Sequence, residues 1–314
     1  MTRYIMQRIG QTILTLLIVA LFTYLLIDFL PGDPIAAMLG GEISQETYDW
    51  WFQELNLDKP VIVRFGMWLW DAVRGDFGTS ASYHMGVLEI MGERLPVTIY
   101  LSLLAFVISV PLGIVFGILS AVYRGKGIDS VLTLLANVGS CLPQFWISVL
   151  LMYILSMKLG WLPSMGFTWL HQDAGMSVKQ TIMPLICLAI GGVASITRQT
   201  RSSMLEVLGQ DYIRTARSKG LKNNKVIYLH ALKNALLPVI TLMGLRLGML
   251  VGGSVFVENV FNIPGMGSLL VKAIQKQDIP LIQGCVLLLG AFSSVVNLIT
   301  DIVYVIVDPR IKIA

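Results

Sequence analysis

Six separate apolar runs, each close to the length of a membrane-crossing helix, constrain this chain more than any other feature. They lie near Ile9–Leu30, Val97–Val122, Leu132–Leu155, Ile182–Ile196, Leu236–Val257 and Leu281–Val307. About 20 apolar residues in helical form cross the hydrocarbon core. A bilayer offers no water to the backbone, so each run must satisfy its own amides, and a helix does so. The run at 182–196 is the weakest, because Gly191 and Gly192 interrupt it and Arg198 follows closely. A soluble protein with a large core does not account for so many long runs in a chain of which only 13 % is charged. The expected fold is an all-α membrane protein with six transmembrane helices. Arg3 and Arg8 precede the first run, as in a signal peptide. That run exceeds the ~7–15 residues of a signal core and five more follow, so an uncleaved helix is expected.

The distribution of charge sets the orientation. Lys and Arg cluster before the first run, between the second and third (Arg124, Lys126), and between the fourth and fifth. The 198–233 stretch carries eight bases (Arg198, Arg201, Arg214, Arg217, Lys219, Lys222, Lys225, Lys233) against Glu206 and Asp211. With six spans these segments and the tail fall on one side, which the positive-inside rule makes cytoplasmic, termini included. The opposite face receives residues 31–96, with ten acids against four bases and aromatics at Trp50, Trp51, Phe52, Trp68 and Trp70. Two readings of that segment stand together: a small ordered external layer, helical around Glu46–Leu57, and interfacial aromatics anchored at the headgroups. The expected division is a cytoplasmic start and first span (1–30), an extracytoplasmic segment (31–96), a five-helix core (97–307) with a coupling loop at 198–235, and a tail (308–314).

Catalytic signatures are missing from the sequence. It contains no GxxxxGK[ST] phosphate loop and no HExxH. His84, His171 and His230 lie far apart, and Cys141, Cys187 and Cys285 stand singly in apolar surroundings, so neither metal nor disulfide is expected. Asp76-Phe77-Gly78 spells a kinase triplet but lacks the partner motifs such a site needs. The net charge of +4 is too small to imply nucleic acid. A stand-alone intramembrane enzyme would need matched acids, and Asp28 and Asp301 fall near opposite faces.

Charges within the runs are expensive and face a bundle interior or water. Arg246 lies about ten residues into the fifth run, Glu258 at its outer end, and Asp301 near the inner end of the sixth. Arg246 either faces a hydrated transport path or forms a structural ion pair, with Asp301 or with a partner chain. Gly244, Gly248 and Gly252 recur every four residues, a bare stripe for close helix approach, as do Gly113 and Gly117 in the second run.

One ordered set of motifs runs nearly the length of the chain. LPGDP at 30–34, LNLDKP at 55–60 and RGDFG at 74–78 are followed by TRSSMLEVLGQDYIRTARSKGL at 200–221 and HALKNALLPVIT at 230–241. VENVFNIPGMG at 257–267, QDIPLIQG at 277–284 and DPRI at 308–311 complete it. This set resembles the inner-membrane permeases of dipeptide, oligopeptide and nickel importers, of the first-subunit (B) type, within the ATP-binding-cassette superfamily. The resemblance implies a peripheral first helix on a five-helix permease core in a bacterial or archaeal plasma membrane. It implies a second homologous permease, two cytoplasmic ATPases that bind ATP and Mg, and an external solute-binding protein. The cargo it implies is a peptide, with nickel or a metal chelate as the alternative; WLPSMG at 161–166 is similar to the nickel-type chains.

In such permeases the loop between the fourth and fifth spans holds a short coupling helix that docks on an ATPase. Carried over, that role falls on Leu205, Glu206, Gly209, Asp211, Tyr212, Arg214, Thr215, Ala216, Lys219 and Gly220. The residues alone fit a helical segment at 205–220, and they equally fit a loop whose bases only fix topology. The general superfamily pattern of Glu-Ala-Ala, three residues, then Gly reads here as Arg214-Thr215-Ala216 before Gly220, with a basic first position.

Overall fold

The computed structural model describes residues 2–29, 32–40 and 44–307, with side chains described at 6–29, 32–40, 44–249 and 252–300. The tail at 308–314 with its DPRI motif, and the side chain of Asp301, lie outside the described residues. The described residues form helices and turns, with one isolated bridge between Thr79 and Gly86 and no longer strand.

Thirteen α-helices are numbered in chain order. They are α1 (Thr2–Asp28), α2 (Pro34–Leu39), α3 (Gln45–Glu54), α4 (Val61–Val73), α5 (Val87–Val122), α6 (Gly127–Cys141) and α7 (Gln144–Leu151). After them come α8 (Ala174–Leu208), α9 (Asp211–Ser218), α10 (Asn223–Lys225), α11 (Leu232–Val260), α12 (Met266–Gln275) and α13 (Ile279–Val307). Wider π-helical turns extend α7 over Met152–Lys158 and lead into α11 over Val226–Ala231. Among the described residues five helical stretches are long and apolar enough to cross a membrane. The helices Gly127–Cys141 and Gln144–Lys158 reach that length and apolarity only when taken together, across a bend of 104°. The third run is therefore not the straight span its hydropathy suggests. Pro143 supplies no amide hydrogen and disfavours helix at Leu142, which takes an extended conformation (φ −76°, ψ 127°).

The fourth run departs from expectation in the other direction. Gly191 and Gly192 do not break it, and α8 continues for 35 residues, about 52 Å at 1.5 Å per residue. That exceeds a ~30 Å hydrocarbon core, so its end projects beyond the apolar layer. Gly192 serves packing instead: a Cβ there would come within 3.0 Å of Ser109 Cβ on α5. Of the spans α8 is the most enclosed, with 61 % of its apolar stretch buried against 11 % for α1, which fits a peripheral first helix.

By its internal contacts the chain divides into two units, Met1–Ile99 with Ile263–Val295, and Tyr100–Asn262 with Val296–Ala314. In the first, Asp33 caps α2 through the amides of Ile35 and Ala36, with Pro34 at the first helical position, where its missing N–H is harmless. Ser44 caps α3. Ile35, Met38, Trp51 and Ala81 form a small core under these helices, whereas Trp50 and Trp70 stay exposed, so the aromatics divide between core and surface. Arg64 of α4 pairs with Asp28 at the end of α1. A second core joins Val87, Ile90 and Met91 of α5 to Met266 and Leu269 of α12 and to Leu281 and Cys285 of α13. Asp278, fully buried, ties it to the preceding loop. One of its oxygens accepts from Ser80 Oγ (2.6 Å) and the Ser82 amide (2.9 Å), and the other caps α13 at the Leu281 amide (3.3 Å).

In the second unit α8 packs against α6, α7 and α11. Gly113 of α5 takes Ile196 of α8, whose Cβ would lie 2.6 Å from an added Cβ, and Gly117 takes Thr200. Both are packing glycines, as their spacing suggests.

Candidate functional site

Helix α9 is only eight residues long, too short to hold itself in water. Its position rests on what it buries. Ile213 and Ala216, three apart and so on one face, join a core with Ile118 and Ala121 of α5, Met204 of α8, and Val226, Ile227 and Ala231 of the π-helical turn. Ile213 is fully buried. Asp211 sits in the first turn and Arg217 in the last, each complementing the helix dipole. Gly209 and Gln210 end α8 and turn the chain, so residues 205–208 belong to α8 rather than to α9.

The far end of α9 closes with a Schellman motif. The Gly220 amide donates to Arg217 O (2.9 Å) and the Leu221 amide to Ala216 O (3.4 Å). Gly220 adopts φ +76°, the left-handed region that favours glycine, although open space surrounds it. Backbone conformation, not crowding, requires glycine here. Asn234 Nδ2 of α11 donates to Tyr212 Oη (2.9 Å), a second tie between α9 and the fifth span.

Of the residues assigned to coupling, Glu206, Gly209, Asp211, Tyr212, Arg214, Thr215, Lys219 and Gly220 are exposed, and Leu205 is half-buried against the core. Ala216 faces inward, so it positions α9 rather than presenting a contact. Asp211 and Arg214 pair loosely at 3.5 Å, both largely in solvent. With Thr215 and Ser218 they form the polar face opposite Ile213.

Beside this core lies an ion pair that the sequence did not reveal. Asp129, in the first turn of α6 and buried, accepts from Arg201 of α8 through Nε (2.7 Å) and Nη2 (2.9 Å). Ser120 Oγ (2.5 Å), the Gly125 amide (3.0 Å) and Thr133 Oγ1 (3.2 Å) complete its shell. Bidentate guanidinium–carboxylate geometry with every oxygen further satisfied is what a buried charge needs. The network joins α5, the α5–α6 turn, α6 and the part of α8 that leads to α9. The one sequence hint was a carboxylate at the very start of an apolar run.

The intramembrane residues do not form a single site. Arg246 donates through Nη2 to Ser195 Oγ of α8. Glu258 lies three turns further along α11, about 18 Å away at 1.5 Å per residue, fully buried and accepting from Ser254 Oγ (2.9 Å). The pairing of Arg246 with Asp301 falls outside the described residues. The glycine stripe holds in part. Gly244 takes Thr300 of α13, and a Cβ on Gly248 would lie 2.5 Å from Asn297 Oδ1 of the same helix. Gly252 is exposed, and a Cβ added there would meet nothing within 4 Å, whereas one on Gly253 would lie 3.4 Å from Gln144 Oε1. The Asp76-Phe77-Gly78 triplet is a turn, with Asp76 Oδ1 accepting from the Gly78 amide (2.9 Å). Among the described residues no three His, Cys, Asp or Glu side chains converge as a metal site.

Comparison with known proteins agrees along the whole chain. Residues 113–313 match the family described as the inner membrane component of binding-protein-dependent transport systems, and residues 1–102 match the N-terminal part of such membrane components. A peptide transport system permease protein of Brucella abortus (strain 2308) is 43 % identical over 313 residues, 99 % of each chain. The oligopeptide transport system permease protein AppB of Bacillus subtilis (strain 168) is 39 % identical over 315 residues, covering 99 % of this chain and 100 % of that one. Among solved structures, the MetNI methionine ABC transporter in an inward-facing conformation matches with a TM-score of 0.54 at 18 % identity, over 70 % of this chain and 97 % of that one. An amino acid ABC transporter crystallised with histidines matches with a TM-score of 0.52 at 18 % identity, over 71 % and 94 %. These two share the fold.

Proposed function

Because the chain belongs to the family of inner-membrane components of binding-protein-dependent transport systems, we propose that it forms one half of the transmembrane pathway of an ATP-driven peptide importer. Its partners in this reading are a second, homologous permease, two ATPases that bind ATP and Mg, and an external solute-binding protein. The cargo assignment draws on the relatives named for peptide and oligopeptide transport, which favours peptides over a nickel chelate. The membrane is a bacterial or archaeal plasma membrane, with the Lys- and Arg-rich segments on the cytoplasmic side.

The observation that carries the mechanism is α9, anchored inward by Ile213 and Ala216 and presenting a polar face outward. An ATPase that grips Asp211, Arg214, Thr215 and Ser218 pushes a helix that has little freedom to slip. Three fixings oppose slippage: the Schellman turn at Gly220, the Tyr212–Asn234 bond and the buried core. The push passes to α11 through Asn234. It passes to α8 at Met204 and from there, through Arg201–Asp129, to α6 and the end of α5. Closure of the ATPases then moves packed helices as bodies, the discrete kind of motion that close-packed interiors allow.

Uptake of labelled di- and oligopeptides by cells with and without this chain tests the cargo. Uptake that disappears with the chain and is not displaced by Ni²⁺ supports the reading; nickel uptake that disappears in its place refutes it.

A further inference from the structure

Three arginines at one end of the second unit meet different surroundings. Arg201 is held bidentately by Asp129. Arg124, in the α5–α6 turn, and Arg217, in the last turn of α9, make no ion pair with a described carboxylate. Both line one cavity of about 290 Å³. Asn223 adds an amide to the same rim. The remaining wall is apolar, built from Val122, Leu205, Leu208 and Ile227.

We propose that this cavity binds the phosphate headgroup of an anionic phospholipid, with the glycerol and upper acyl chain along its apolar wall. Two arginines on one pocket give it a positive field, and the forked donors of guanidinium match phosphate oxygens. The apolar wall distinguishes an amphiphile from a free ion. The volume equals about ten waters at ~30 Å³ each, on the scale of a phosphodiester with its glycerol. Basic pockets between spans on the Lys- and Arg-rich side of a membrane protein suit such headgroups. Arg217 follows Ile213 by four residues, so it flanks the inward face of α9 and is turned away from the polar face offered to an ATPase. The bound lipid bridges the α5–α6 turn to α9. The proposal rests on the coupling reading only in placing this end of the bundle at the cytoplasmic headgroup level.

The test is lipid analysis by native mass spectrometry of the whole transporter, extracted in mild detergent from its host. The wild type retains phosphatidylglycerol or cardiolipin in preference to phosphatidylethanolamine. Arg124→Ala/Arg217→Ala loses it by about tenfold or more, whereas Arg124→Lys/Arg217→Lys keeps most of it. Leu208→Trp fills the cavity without altering charge and loses the lipid as well. Equal retention in wild type and the alanine variant overturns the proposal. So does binding of added inorganic phosphate at these arginines with no lipid retained, which makes the site one for a free anion. Loss of the ATPases with lipid unchanged also overturns it, because a partner's carboxylate then occupies the cavity. Lipid is scored on the permease itself, so the coupling reading can fail while this one stands, and the reverse.

Discussion

Replacing Ile213 by alanine removes the main anchor of α9. Ile213 is fully buried, and the change deletes three carbons. At about 0.8 kcal/mol per buried methylene the transfer loss is roughly 2.4 kcal/mol. The cavity left between α5, α8 and the π-helical turn raises it to about 3.5 kcal/mol, within the usual range for such truncations. An eight-residue helix has no intrinsic stability to offset this. The docked population of α9 relative to the undocked one falls by roughly 300-fold, since 1.4 kcal/mol is a factor of ten. In proteoliposomes holding the complete transporter, Ile213→Ala should leave the spans inserted and the ATPases active. Peptide accumulated per ATP hydrolysed should collapse. The comparison is Arg214→Ala on the opposite face, which should weaken ATPase binding without loosening the helix. Full coupling by Ile213→Ala, with α9 amides as protected from hydrogen exchange as in the wild type, would refute the claim that this core holds the coupling helix.

Three further outcomes are expected. Gly220→Ala should cost about 1–2 kcal/mol through the left-handed backbone alone, and Gly220→Trp should uncouple hydrolysis from uptake at normal expression; hydrogen exchange of α9 and the uptake-to-hydrolysis ratio measure the two. Arg201→Ala strands the buried Asp129 charge and should destabilise by about 3 kcal/mol; Asp129→Asn/Arg201→Ala should recover much of it, seen as a thermal shift of the detergent-solubilised complex. Gly244→Val and Gly248→Leu should break the α11–α13 contact and lower the yield of monodisperse protein, while Gly252→Ala, facing open space, should leave it unchanged.

Each apolar run of the sequence falls on one of the five long apolar helices or on the bent α6–α7 pair, because apolar runs of sufficient length have few alternatives in lipid. Hydropathy could not register the bend at Leu142–Pro143, since the run stays apolar across it and only the proline marks it. The Gly191-Gly192 pair misled in the opposite sense. Glycine weakens an isolated helix, but inside a bundle it also admits a neighbour, and Ser109 is that neighbour. The same ambiguity divided the stripe on α11, where equal spacing cannot say that a Cβ at Gly252, unlike one at Gly244 or Gly248, would meet nothing within 4 Å. The motif falls on α9, yet only the structure separates the inward Ala216 from the outward Arg214 and Thr215. Asp129 and Arg201 lie 72 positions apart. No local pattern announces a pair made by tertiary packing.

The central claim is that an ATPase drives this chain through α9. The most direct test is mild-detergent purification of the tagged protein from its native host, with mass spectrometry of what accompanies it. A second permease and ATP-binding-cassette ATPases recovered with the wild type, and ATPases depleted from Arg214→Ala, are the predicted result. A chain recovered alone, stable and monodisperse, would contradict it.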